Sequence, residues 1–272
     1  MRIVDAQAHI WGSGTPSGLH RKVSAFTAEE LLAEMDAAGV DAAVLHPPIS
    51  WDHGSNDLAV DAARRWPDRF AVLGQVPLDR PEESRARLAT WRALPGMLGL
   101  RYPLVLPEQR DWHADGTMDW LWPEAERLRL PVATMAWRIL PVFRSIAERH
   151  PDLRLIIDHC GLVRAAQDDA AFADLDALLA LAALPNIAVK ATGAPGYSTA
   201  PYPYRNIHDG LRRIFDAYGP RRFFWGTDIT RMPCSYRQCV TMFTEELPWL
   251  SGGDLELVMG RAVCDWLDGL HP

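Results

Sequence analysis

The chain has 272 residues, 48% hydrophobic and 23% charged, with a formal net charge of −7. That length suits one α/β domain over residues 1–272, and the acidic balance excludes the basic face that nucleic acid would require. No apolar run reaches the ~20 residues of a membrane span, no apolar leader follows Met1, and four cysteines without CxxC spacing read as free thiols; the expectation is a cytoplasmic protein.

Short β-rich runs alternate with runs of helical period. "RIVDAQ" reads as a strand, and "TAEELLAEMDAAGV" as a helix with a capping box from Thr27 to Glu30 and a stop at Gly39. "DAAVLHPP", "FAVLGQVPL", "MLGLRYPL", "PVATMAW", "LRLIIDHCG", "NIAVKATG" and "RFFWGTD" follow as strands. Between them lie helical runs, among them "NDLAVDAARRWP", "PEESRARLATWRAL", "LPVFRSIAERHP" and "IHDGLRRIFDAYG", and the chain closes on "YRQCVTMFTEEL" and "GDLELVMGRAVCDWL". Alternation of this kind implies a parallel sheet. Eight units in sequence imply a single (β/α)8 TIM barrel, an α/β fold. A doubly wound sheet would normally use fewer strands, and no Gly-rich phosphate loop follows the first one.

Barrel strands deliver their C-terminal residues to one mouth. Here those residues are polar: Asp5, Gln7 and His9 from the first strand, then His46, Gln75, Arg101, Asp158 with His159, Lys190 and Asp228, with Met135 or Trp137 on the fifth. In a regular strand the spacing of two would put Asp5, Gln7 and His9 on one face. The loop "GAPGYSTAPYPYRN" after the seventh strand carries Tyr202, Tyr204 and Arg205 as candidates to shape a pocket.

The ordered pieces "VDAQAHIW", "GLRYPL", "LRLIIDHCG", "NIAVKATG" and "RRFFWGTDITRMP" resemble the amidohydrolase-related metal-dependent hydrolases, above all their lactonase-like branch. The broader family also holds decarboxylases of aromatic acids. The resemblance implies a first-strand His-x-His that binds metal, and here Gln7 stands in the first place and His9 in the second. It implies a further histidine on the fifth strand, where this chain has Met135 or Trp137. A thioether is soft and an indole N–H only donates, so neither ligates a hard ion well. His9 and Asp228 remain as metal ligands, with His159 nearby, which is fewer than the three protein ligands catalytic zinc normally takes. The expectation is therefore that no cofactor is required, with a divalent zinc or manganese ion as the alternative.

Lactone hydrolysis needs an activated water and stabilisation of charge on the carbonyl oxygen. Asp228 is the expected base, its pKa raised by an apolar mouth, with His159 and His9 polarising the carbonyl or moving the proton. Arg101 suits a substrate carboxylate. Lys190 suits the same task or an ion pair with Asp158. Gln7, His46, Trp137 and Tyr204 complete the expected substrate contacts. The partner expected is a small anionic, cyclic molecule, with no nucleic acid or membrane. The sequence leaves open decarboxylation, a non-catalytic binding barrel, and the oligomeric state, a homo-oligomer included.

Overall fold

In a computed structural model that describes residues 1–104, 106–109, 111–137 and 139–270, eight parallel strands hydrogen-bond in chain order. They are β1 (Val4–Ala8), β2 (Ala42–Leu45), β3 (Phe70–Gly74), β4 (Met97–Tyr102), β5 (Val132–Thr134), β6 (Leu155–Ile157), β7 (Ile187–Thr192) and β8 (Phe223–Gly226). The helices are α1 (Ala28–Ala38), α2 (Ser55–Arg65), α3 (Pro81–Leu88), α4 (Leu121–Arg127), α5 (Leu140–Arg149), α6 (Leu175–Leu181), α7 (His208–Tyr218), α8 (Tyr236–Glu245), α9 (Gly252–Glu256) and α10 (Ala262–Leu267). The result is a nearly closed (β/α)8 barrel. α1 starts on the expected capping box of Thr27 and Glu30, and Gly39 stops it in the left-handed region at φ 77°.

Two apolar layers hold the barrel. Alternate strand residues such as Leu45, Val72, Val132, Ile157, Val189 and Trp225 pack outward under the helices. The others, among them Val44, Leu73, Ala133, Ile156, Ala188 and Phe224, fill the interior together with Leu257, Val263 and Leu267. The segment 257–267 thus covers the N-terminal ends of the strands, with Gly260 tight against the backbone of Arg2 and Val4. Burying each large apolar side chain is worth about 1.5–3 kcal/mol relative to exposing it. With one end plugged, the other is left for chemistry.

The seam between β8 and β1 differs from the expected regular pairing. The register of β1 shifts between Asp5 and Ala8, and the shift breaks the alternation of its side chains. Val4 and Ala6 pack in the interior and Ala8 packs outside. Asp5 does not share a face with Gln7 and His9. Its carboxylate turns to the seam, where it accepts from the Thr227 backbone N–H at 2.8 Å, from the Thr227 hydroxyl and from the Tyr236 hydroxyl at 2.6 Å. Gly226 allows the close approach: a Cβ there would lie 2.5 Å from Thr192 Cγ2 and 2.9 Å from Asp5 Oδ1. Just beyond, the Asp228 N–H donates to the Gln7 carbonyl at 2.8 Å.

Candidate active site

The strand ends on the open side build two adjoining polar clusters. The inner one centres on Asp158, which follows β6. Its Oδ1 lies 2.7 Å from Lys190 Nζ of β7, and its Oδ2 accepts from Arg101 Nε of β4 at 2.8 Å. Lys190 also donates to Gln7 Oε1 at 2.8 Å and sits 3.3 Å from His46 Nε2. Burial works to raise the Asp158 pKa, but Lys190 and Arg101 together hold it well below the usual carboxylate range. Burial pushes Lys190 down to about 8, against the pull of Asp158.

The bond from Lys190 fixes the Gln7 amide, so its Nε2 points outward. It lies 3.4 Å from Asp228 Oδ2 and 3.4 Å from His159 Nε2. His159 Nδ1 bonds Thr192, at 3.1 Å to the carbonyl and 2.9 Å to the hydroxyl. With the Nδ1 proton on the carbonyl, Nε2 carries the lone pair and accepts from Gln7 and from Arg231 Nη1 at 3.3 Å. Burial, reinforced by Arg231, lowers the His159 pKa to about 3, so the ring is neutral and a weak base. His159 and Asp228 both hold left-handed backbone, φ 53° and 54°. Strain of this kind in non-glycine residues gathers where surrounding structure fixes a functional side chain.

The outer cluster is Asp228, His9 and His20. Asp228 Oδ2 accepts from Arg231 Nη1 at 3.1 Å. Oδ1 faces His9 Nε2 at 3.3 Å and His20 Nδ1 at 4.0 Å, is fully buried and accepts no hydrogen bond. The expected raised pKa of Asp228 is not found. Burial alone would raise it, but His9 and Arg231 outweigh burial and hold the carboxyl well below the ordinary value. Asp228 is therefore an ionised oxygen donor rather than a carboxylate poised near neutrality. His20 belongs to the loop between β1 and α1, and its ring packs 5.0 Å from Trp51 and 5.2 Å from His9. Burial lowers its pKa to about 3.

Both clusters meet a cavity of about 150 Å³. His9, His20, Asp228, Arg101, Arg164 and Arg231 reach its wall, with Trp51, Gln75 and Met135 beside them. The residues named from the sequence are thus sorted by the structure. His9, Arg101 and Asp228 line the cavity; Gln7, His46, His159 and Lys190 lie beneath it as buried supports. Trp137 is outside the lining, where Met135 takes the fifth-strand place. Tyr204 is buried next to Cys234, Tyr202 bonds Thr241 at 2.8 Å, and Arg205 pairs with Glu246, so this loop turns toward α8 rather than into the cavity. His20 and Arg231 were not anticipated. Arg231 stands three residues past Asp228, a spacing that in a tight turn brings its side chain back to the carboxylate.

The ligand atoms of His9, His20 and Asp228 lie within 4.8 Å of one another. Two imidazoles and a carboxylate are a donor set that suits a divalent transition ion, with the cavity supplying an open fourth position. The buried, unbonded Asp228 Oδ1 supports the fit. His20 thus joins the two ligand candidates named from the sequence, His9 and Asp228.

A family model described as amidohydrolase matches residues 4–257. An L-fucono-1,5-lactonase of Burkholderia ambifaria is 26% identical over 83% of this chain and 79% of that protein. A 4-sulfomuconolactone hydrolase of Hydrogenophaga intermedia is 28% identical over 84% and 77%. The crystal structure of an amidohydrolase from Burkholderia multivorans with bound zinc superposes with a TM-score of 0.82, at 21% identity over 99% of this chain and 100% of that one.

Proposed function

The chain belongs to the amidohydrolase family, and from that premise we propose that it hydrolyses a small lactone bearing a negative charge. It is a hydrolase, and its lactone-hydrolysing relatives support a cyclic substrate. The observation that carries the finer reading is the cavity wall itself. Three arginines, Arg101, Arg164 and Arg231, line it together with His9, His20 and Asp228, whose Oδ1 accepts no hydrogen bond.

The chemistry follows from those positions. Arg101 is held by Asp158 through Nε and lines the cavity, where a guanidinium suits a carboxylate or sulfonate. Asp228 Oδ1, ionised and unbonded, orients a water and takes its proton as the oxygen attacks the lactone carbonyl. The carbonyl π pair moves to oxygen, and its collapse expels the ring oxygen, which takes the proton held by Asp228 and leaves as the new hydroxyl, restoring the carboxylate. Arg231 steadies the Asp228 carboxylate from the other side. His9 and His20, with Asp228, are the residues that would hold a divalent ion, which when bound supplies Lewis-acid polarisation.

The test is an indicator assay of acid release on a panel of sugar-acid 1,5-lactones and carboxy- or sulfo-substituted muconolactones. Turnover is expected on an anionic lactone and reduced on its uncharged counterpart. Equal turnover on both would remove the charge requirement. No lactone turnover, together with CO2 release from an aromatic acid, would replace hydrolysis with decarboxylation.

A further inference from the structure

We propose that His20, from the loop after β1, is an ion ligand through Nδ1, and that with His9 Nε2 and Asp228 Oδ1 it forms a divalent-metal site seated beside the loop rather than at Gln7. The site does not depend on the substrate reading.

Three observations carry it. The first concerns His9. Its Nδ1 bonds the His46 carbonyl, which places one proton there, so that once Nε2 gives up a second proton its lone pair faces Asp228 Oδ1 at 3.3 Å. Two acceptors that close need a cation between them. A proton would join two such atoms, but a third acceptor, His20 Nδ1, stands 4.0 Å from the same oxygen. An ion joins all three.

The second is that the position next to Gln7 already has a cation. Lys190 Nζ donates to Gln7 Oε1 at 2.8 Å and pairs with Asp158 at 2.7 Å. With its oxygen committed to Lys190, Gln7 turns only N–H groups toward Asp228 and His159. An amide N–H has no lone pair for a metal, so an ion is kept on the outer side of Asp228.

The third is that the loop is anchored where the site needs it. Arg21 N–H donates to the Thr230 carbonyl at 2.8 Å, and Trp11 and Phe26 exchange backbone bonds of 3.0 and 2.9 Å across the loop's base. The Arg21 side chain pairs with Glu34 of α1. His20 Nδ1 meanwhile lies 2.8 Å from the Thr230 hydroxyl. An entering ion takes over the lone pair that this hydroxyl occupies. Two imidazoles favour zinc, cobalt or nickel over magnesium or calcium.

The test is titration of metal-free protein with Co2+ and Zn2+, followed by calorimetry, by the visible cobalt bands and by the rise in thermal midpoint. One ion per chain is expected, with a low-coordinate cobalt spectrum and little response to Mg2+. His20→Gln is expected to weaken binding by roughly 10- to 100-fold, within the range for loss of a metal-supporting contact, while the metal-free thermal midpoint barely moves. Thr230→Val removes the competing hydroxyl and is expected to tighten binding about threefold, by the modest net value of one hydrogen bond. Absence of binding in the wild type, or unchanged affinity in His20→Gln, overturns the proposal. Weaker binding in Thr230→Val overturns the Nδ1 seat.

Discussion

The two clusters at the barrel mouth are neighbours built from the same residue types, yet they are in opposite condition. Around Asp158 each carboxylate oxygen has a cation, Lys190 on one side and Arg101 on the other. Around Asp228 one oxygen accepts from Arg231 and the other faces the imidazoles of His9 at 3.3 Å and His20 at 4.0 Å. The first cluster is compensated from within the chain. The second turns one carboxylate oxygen to two imidazoles at the cavity wall. The contrast separates the scaffold from the proposed working site more sharply than burial does, since Asp158 and Asp228 are equally buried.

The largest effect is expected from breaking the inner cluster. Asp158→Ala leaves Lys190 and Arg101 buried without their counter-charge, and should cost about 3–5 kcal/mol of stability, read from urea denaturation. A loss under 1 kcal/mol would mean that the inner network is not a scaffold. The outer cluster should respond in rate instead. Asp228→Asn is expected to lower turnover on a lactone by roughly 10²-fold, about 2.7 kcal/mol, with a smaller change in the urea midpoint. If Asp228→Asn kept wild-type turnover, proton removal would lie elsewhere in the wall.

Acid should loosen the floor of the site. His159 stays neutral in the fold down to about 3, against an ordinary value of 6.5, and His46 is lowered in the same direction by burial and by Lys190. Between those values the unfolded chain binds more protons than the folded one. Stability is then present above pH 6.5 and lost as pH falls toward 3. His159 alone should account for about 2 kcal/mol between pH 7 and pH 5; a flat urea midpoint over that interval would contradict its burial as a neutral ring. The smallest effect marks the edge of the site: Tyr204→Phe should leave turnover within about twofold, because the hydroxyl lies against Cys234 and not in the cavity. A large loss would bring the β7–α7 loop back into the pocket.

The barrel was legible because each of its units carries its own signal: a β-rich run, a cap such as Thr27 with Glu30, a stop such as Gly39. Strand-end chemistry was legible for the same reason, and it placed Arg101, His9 and Asp228 at the cavity. Two things were hidden. The register shift in β1 leaves no mark in "VDAQAHI", because it comes from the seam with β8 and not from the strand's own residues. It sent Asp5 to Thr227 and Tyr236 and left Gln7 and His9 inside. His20 was hidden because "GSGTPSGLHRK" has no period; only the fold of the loop onto Thr230 brings that ring to strand eight. The Lys190–Asp158 pair was foreseen as one of two roles, but no spacing reveals that Gln7 would be its third member.

The seam itself has a consequence in time. The last rung of the barrel is the bond from the Asp228 N–H to the Gln7 carbonyl, and the two residues stand 221 positions apart in the chain. Contacts so distant in sequence carry the largest loop-closure cost and form late. The ribosome therefore releases nearly the whole chain before the outer cluster can exist at all. If the proposed ion site forms, the appearance of ion affinity during refolding reports closure of the ring.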